Sequence, residues 1–140
     1  MIDLLLIVVS GVAVGIVTVG LIGAFRVRGV RRRHRERVAA VRPTHSGAAA
    51  LFGIASQGRH QSPGPGTLAV GPDQLAFVQV WPERQVLVDR AQITSVTSTR
   101  HFLGRTVEHD LLLVTWDSGG QGDAAAFDVT DLDGWRSRLS

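Results

Sequence analysis

The pattern of apolar and polar positions divides the chain into three parts, and the first is almost continuously apolar. Residues 4–25 contain no ionisable side chain, and Asp3 is the only charge before them. Roughly 20 apolar residues are enough for a helix to cross a bilayer core of about 30 Å. A helix also satisfies its own backbone hydrogen bonds in lipid. We therefore predict a transmembrane helix over residues 2–25.

A cleaved signal peptide and a buried soluble helix are the alternatives to this membrane anchor. A signal peptide needs a basic start, a shorter apolar core and a small-residue cleavage site. Here the start is acidic, and arginines stand where cleavage would occur. A buried soluble helix would normally show a polar face. The pattern favours an uncleaved anchor.

The second part, residues 26–42, is strongly basic. It contains eight arginines and one acid, Glu36, for a net charge of +7. Because arginine-rich flanks stay in the cytoplasm, we expect the N-terminus outside and all later residues on the cytoplasmic side of the plasma membrane. The arginines also suit an anionic leaflet, at about 1 kcal/mol each near the surface; a topology signal alone is the other interpretation. The residues given these roles are Arg26, Arg28, Arg31, Arg32, Arg33, Arg35 and Arg37.

Small residues recur within the predicted span at the spacing that lets two membrane helices approach closely. The pattern occurs as Gly11-Val-Ala-Val-Gly15 and again as Gly20-Leu-Ile-Gly-Ala24. Such small-xxx-small patterns favour helix association in lipid. They motivate a second hypothesis, in which the protein is a small accessory subunit of a larger membrane complex and is held through its span.

From residue 49 onward, short apolar runs alternate with turn residues, which is typical of an antiparallel β domain. Residues 49–140 are predicted to form this domain, after a tether and linker over 26–48. A long loop is expected over residues 100–109. A C-terminal helix is expected next, with Thr130 as its N-cap and with Leu132, Trp135 and Leu139 on one apolar stripe. The predicted strands are 49–56, 66–70, 75–81, 85–89, 93–99, 110–116 and 124–129.

Several segments of this third part resemble pleckstrin-homology-like (PH-like) and GRAM domains. Residues 66–77 (GTLAVGPDQLAF) resemble their early hairpin, and residues 86–96 (VLVDRAQITSV) resemble a later strand pair. The closing strands and helix are similar over 111–116 and 127–135. The whole pattern resembles small actinobacterial single-pass membrane proteins with a PH-like domain. The resemblance implies a seven-stranded antiparallel barrel with one capping helix, and a binding or scaffolding role.

Composition narrows the chemistry of the third part. The chain has no cysteine, which excludes disulfides and cysteine-based metal or redox sites. Residues 43–140 carry seven arginines and ten acids, and this net charge of −3 argues against nucleic acid. No nucleophile-elbow or phosphate-loop motif occurs. His101 and His109 flank one loop, and Glu108 and Asp110 adjoin the second histidine. A typical metal site needs three or four converging ligands, and a solvated loop is the interpretation that we favour here. We predict no catalysis, no metal and no cofactor.

Candidate contact residues remain at two places. Trp81 stands at a strand end before Pro82, where exposure and partial burial at a barrel rim are both compatible with the pattern. The expected 100–109 loop carries apolar residues within a polar connection, which marks a contact surface. The resemblance adds no phosphoinositide site, because the first loop offers only Arg59 and His60. The residues assigned to contact with a partner are Trp81, His101, Phe102, Leu103 and Arg105.

The sequence thus predicts a membrane-anchored binding module that docks a protein partner at the cytoplasmic face without catalysis. The alternatives are the accessory subunit held by its span and a module that senses anionic lipid through its arginines.

Overall fold

The computed structural model describes residues 28–61 and 63–140. The predicted span, with Gly11, Gly15, Gly20 and Ala24, lies outside these residues, as does Arg26. Among the described residues, no helix has the length and apolar character needed to cross a bilayer. The chain divides into two units after Arg33, and the unit His34–Ser140 contains the whole sheet.

A helix, α1, covers residues 28–40 and ends in a turn at Val41. Arg42 has a positive φ of 49°, and Pro43 follows it. Because proline disfavours a helical conformation in the residue before it, the helix stops where the Arg42-Pro43 pair predicts.

Seven antiparallel strands form one open sheet, and a C-terminal helix follows the last strand. The sheet order is β4-β3-β2-β1-β7-β6-β5, so β4 and β5 are its two ends. The prediction of a mainly-β unit with seven antiparallel strands and a C-terminal helix is confirmed. The elements are β1 His45–Ile54, β2 Gly64–Val70, β3 Gln74–Gln79, β4 Arg84–Asp89, β5 Ile93–Phe102, β6 Arg105–Ser118, β7 Gln121–Val129 and α2 Leu132–Leu139.

The main core lies on the inner face of this sheet, where the strands bury alternate side chains. Phe77 on β3 and Phe127 on β7 meet with ring centroids 5.3 Å apart, and both are almost completely buried. Helix α2 adds Trp135, whose ring stands edge-on to that of His45 at 4.9 Å. The predicted apolar stripe of α2 therefore covers the core, with Trp135 and Leu139 buried.

Three local predictions need correction. Strand β1 begins at His45, four residues early, because residues 45–48 of the predicted linker pair with β2. The predicted 100–109 loop is instead the tip of a long β5–β6 hairpin that turns at Leu103 and Gly104. Both turn residues have positive φ, 52° and 75°, which matches the two-residue turn that suits strand twist. The N-cap of α2 is Asp131 rather than Thr130, and its side chain accepts a hydrogen bond from the Gly134 amide.

Candidate docking surfaces

The outer face of β2 and β3 is covered by the C-terminal half of α1. Val38 and Val41 pack against Ala69 and Ala76, which are too small to hold the helix away from the sheet. This second, smaller core means that part of the predicted tether belongs to the folded unit. Of the predicted lipid or topology residues, Arg28, Arg31, Arg32, Arg33 and Arg35 are exposed and Arg37 is half-buried.

The direction of α1 along the sheet follows from two contacts at opposite ends of β2. The His34 Nε2 atom lies 2.9 Å from Thr67 Oγ1, near the start of β2. Val41 lies against Gly71, just past the end of the same strand. The start of β2 adjoins the β3–β4 turn, where the Val80 amide donates to the Pro65 carbonyl. His34 and the β3–β4 turn are therefore at the same end of the unit.

His34 makes the stability of this packing depend on pH. Burial, and to a lesser extent the nearby Arg37 guanidinium, lowers the pKa of His34 below its ordinary value of 6.5. No hydrogen-bond acceptor for its buried Nδ1 atom is found among the described residues. Since the folded state disfavours protonation, the unfolded chain binds the extra proton first as pH falls. The contribution of His34 is therefore full above about pH 6.5 and is lost as pH falls further.

We expect unfolding midpoints of the full chain, measured in mild detergent between about pH 8 and pH 5, to fall on acidification. A His34→Gln variant should show a shallower fall, because glutamine cannot be protonated there. Equal slopes for the wild type and the variant would contradict this assignment. His60→Gln, at an exposed position, is the matched control and should leave the slope unchanged.

The tip of the β5–β6 hairpin folds against the outer face of β1. The Phe102 ring stands edge-on to Phe52 with centroids 6.3 Å apart, and the Arg105 guanidinium lies 4.7 Å from the centre of the Phe52 ring. Leu103 covers Gly53 so closely that a Cβ there would lie 2.6 Å from Leu103 Cδ1. Phe102 and Leu103 are consequently half-buried by the protein itself, while His101 and Arg105 remain exposed.

Beside this contact, an open groove of about 300 Å³ runs over the outer face of β1. Its floor crosses three strands, because Ala50 pairs with Pro65 on β2 and with Asp128 on β7. At its edge, His109 Nε2 lies 3.0 Å from Asp128 Oδ2. The lining residues are Ala50, Leu51, Phe52, Pro63, Gly64, Pro65 and Asp128.

The two predicted contact segments flank this one groove. Phe102 and Arg105 support the Phe52 wall. On the opposite side, a Cβ on Gly64 would lie 2.9 Å from the Trp81 carbonyl oxygen. The groove itself was missed from the sequence, since its residues come from distant segments that only strand pairing brings together.

Trp81 is the most exposed large apolar residue of the described chain. It is 77% exposed, and its neighbour Val80 is 39% exposed. Its backbone is held in place, because the Gln79 amide donates to the Trp81 carbonyl at 3.3 Å. Exposure, rather than partial burial at a rim, is therefore the outcome for Trp81.

No family model matches the chain, and no relative was found among curated proteins. The described residues contain no cluster of three or more His, Cys, Asp or Glu side chains able to hold a metal ion. Two surface features of the described residues remain as functional candidates: the groove and the exposed Trp81.

Proposed function

We propose that this chain is a single-pass membrane protein whose PH-like unit docks a basic segment of a partner protein at the cytoplasmic face. In this proposal the role is binding, not catalysis. The partner segment is extended, places an apolar side chain in the groove and presents an arginine or lysine to Asp128. The basic flank of another membrane protein has this chemistry, since such flanks carry arginine and lysine on the cytoplasmic side.

The observation that carries the proposal is the position of the groove between the two predicted contact segments. Its walls are supported by other parts of the chain: Phe52 packs against Phe102 and Arg105, and Gly64 lies against the Trp81 carbonyl. A preformed site loses less conformational entropy on binding than a flexible one. The floor is apolar, and Ala50 leaves room there for a side chain from a partner.

Charge favours a cationic partner. Asp128 is an exposed carboxylate at the groove edge, and Glu108 lies on the adjoining strand β6. Asp110, also on β6, is offset by Arg100, whose Nε lies 2.9 Å from its Oδ1. Residues 43–140 as a whole carry a net charge of −3. Complementary charge speeds association and rejects like-charged partners. An acidic peptide should therefore be excluded.

The topology supports the PH-like part of the proposal. An early four-stranded meander, β1 to β4, is followed by β5 to β7 and a C-terminal helix, which is the order that the resemblance implies. The sheet remains open between β4 and β5, so strand pairing does not close the barrel that the resemblance also implies. Helix α2 packs its Trp135 and Leu139 into the core, as a capping helix would.

The test is peptide selection on the purified full chain in lipid nanodiscs. A library of extended peptides with varied charge and apolar content is the probe. We expect enrichment of peptides that combine arginine or lysine with a nearby apolar residue. Asp128→Asn should weaken their binding several-fold, because it removes the charge and keeps the shape. Ala50→Phe should abolish binding, because the larger side chain fills the groove.

Asp73→Asn is the matched control, since Asp73 is an exposed acid in the β2–β3 turn at the far end of β2. It should leave peptide binding unchanged. Enrichment that survives both groove variants, or enrichment of acidic peptides, would overturn the proposal. If instead the library gives no binder and partners captured from native membranes are lost on Gly15→Leu alone, the accessory-subunit hypothesis gains and the groove assignment fails.

A further inference from the structure

We propose that the β3–β4 turn is a second membrane contact, in which Trp81 and Val80 insert into the headgroup region of the bilayer. The inference rests on the membrane anchor of the proposed function. It assigns the Trp81 side chain, which does not line the groove, to contact with the lipid surface. Only the backbone carbonyl of Trp81 approaches the groove wall, at Gly64, and the indole ring is not among the groove-lining groups.

The β3–β4 turn exposes an apolar pair on a backbone that hydrogen bonds hold in place. Trp81 is 77% exposed and Val80 39% exposed, at the tip of a hairpin. The Gln79 side chain and the Pro65 carbonyl hold the backbone on either side through hydrogen bonds. Tryptophan combines a large apolar ring with one N–H donor, and for that reason it is enriched where apolar and aqueous regions meet.

The course of α1 shows at which end of the unit this apolar pair lies. Helix α1 runs along β2 from His34, next to Thr67, to Val41, next to Gly71. Its residue Arg37 reaches Glu83 of the β3–β4 turn, with Nη1 and Oε2 3.9 Å apart. The chain therefore enters this unit at the end that carries Trp81. In sequence, the entry point follows directly on the predicted span and five arginines of its basic flank.

The charge of the β3–β4 turn is compatible with a lipid surface. Arg84 follows the turn and donates to Gln61, while Arg37 offsets Glu83. The turn therefore brings no net negative charge toward lipid. The exposed arginines of α1 precede it and are attracted by an anionic surface. A bilayer containing anionic lipid is the partner that accepts an exposed indole, a valine and the arginines that precede the turn in sequence.

The experiment uses the full chain reconstituted in vesicles of phosphatidylcholine and phosphatidylglycerol. Tryptophan fluorescence is quenched either by lipids with brominated acyl chains or by aqueous acrylamide. The difference between the wild type and Trp81→Phe isolates the emission of Trp81 from that of Trp116 and Trp135. We expect most of the brominated-lipid quenching to disappear in Trp81→Phe. We also expect acrylamide to quench the Trp81 emission several-fold less in the vesicles than in the protein unfolded in urea.

Leu87→Ser is the matched control, because Leu87 is 49% exposed on β4 away from the turn. It should leave lipid quenching unchanged. Strong acrylamide quenching of Trp81 without lipid quenching would overturn the inference, and so would shielding from both quenchers, which indicates contact between protein copies. Extraction of the protein by alkaline carbonate would instead overturn the transmembrane anchor, so the two failures are distinguishable.

Discussion

Truncation of Phe127 to alanine is expected to destabilise the unit by about 3–5 kcal/mol, the range for removing a buried phenylalanine side chain. Phe127 lies opposite Leu51 on β1 and Leu112 on β6, and its ring meets that of Phe77 across the core. Little can collapse into the space it leaves, because β7 is held between two strands. Typical domains are stable by only about 5–15 kcal/mol. A large fraction of the Phe127→Ala molecules should therefore be unfolded in mild denaturant.

Urea titration of the full chain in mild detergent, followed by near-ultraviolet circular dichroism, measures this loss. Leu87→Ala is the control, because Leu87 is 49% exposed and lies outside the inner-face core around Phe127. Its change should be within about 0.5 kcal/mol, as for surface positions generally. A Phe127→Ala midpoint equal to that of the control would mean that the inner-face core is wrongly assigned.

Alanine at Gly71 is expected to separate the end of α1 from the sheet. A Cβ at this position would lie 1.9 Å from the Val41 carbonyl oxygen, and the obstructing atom belongs to the backbone. Overpacking of a filled site typically costs about 1–3 kcal/mol. The small core of Val41, Ala69 and Ala76 should open first, because it lies directly beside the clash.

Hydrogen exchange measured by mass spectrometry is the suitable readout for Gly71→Ala. Peptides that cover residues 34–41 should lose protection, while those from β6 and β7 keep it. Gly122→Ala is the control, since the nearest atom to its added methyl group would be 3.9 Å away, an ordinary contact distance. Unchanged protection of residues 34–41 in Gly71→Ala would contradict the packing of α1.

The strands could be predicted from the sequence wherever alternating apolar and polar positions were bounded by turn residues. Val86 and Val88 face inward on β4 as their period-two spacing predicts, and Leu87 between them is outward. The alternation was hidden in the β5–β6 hairpin, because arginine, histidine and glutamate occupy strand positions beyond the main core. The turn at Leu103 was also obscured, since leucine is an unusual residue at positive φ.

Only part of the docking surfaces could be predicted from the sequence. Exposed aromatic and apolar residues in turns marked Trp81 and Phe102 as candidates. The contact of Phe102 with Phe52 could not be predicted, because the two residues lie 50 positions apart. In addition, Phe52 belongs to a strand whose pattern is typical of core residues. Val38 and Val41 were similarly hidden, since a charge-rich segment dominates their surroundings. Contacts between distant segments depend on sheet register, which a local pattern does not contain.

The strand order of the sheet limits how far the protein can fold while it is being synthesised. Strand β1 lies at its centre, between β2 and β7, and Ala49 pairs with Val129, 80 positions later. Contacts between residues so far apart in sequence make folding slow, because a long loop must close before they form. A ribosome must therefore translate the chain through β7 before β1 gains its second neighbour. Until then β1 has an open edge able to pair with another nascent chain, and products truncated before β7 would keep that edge permanently.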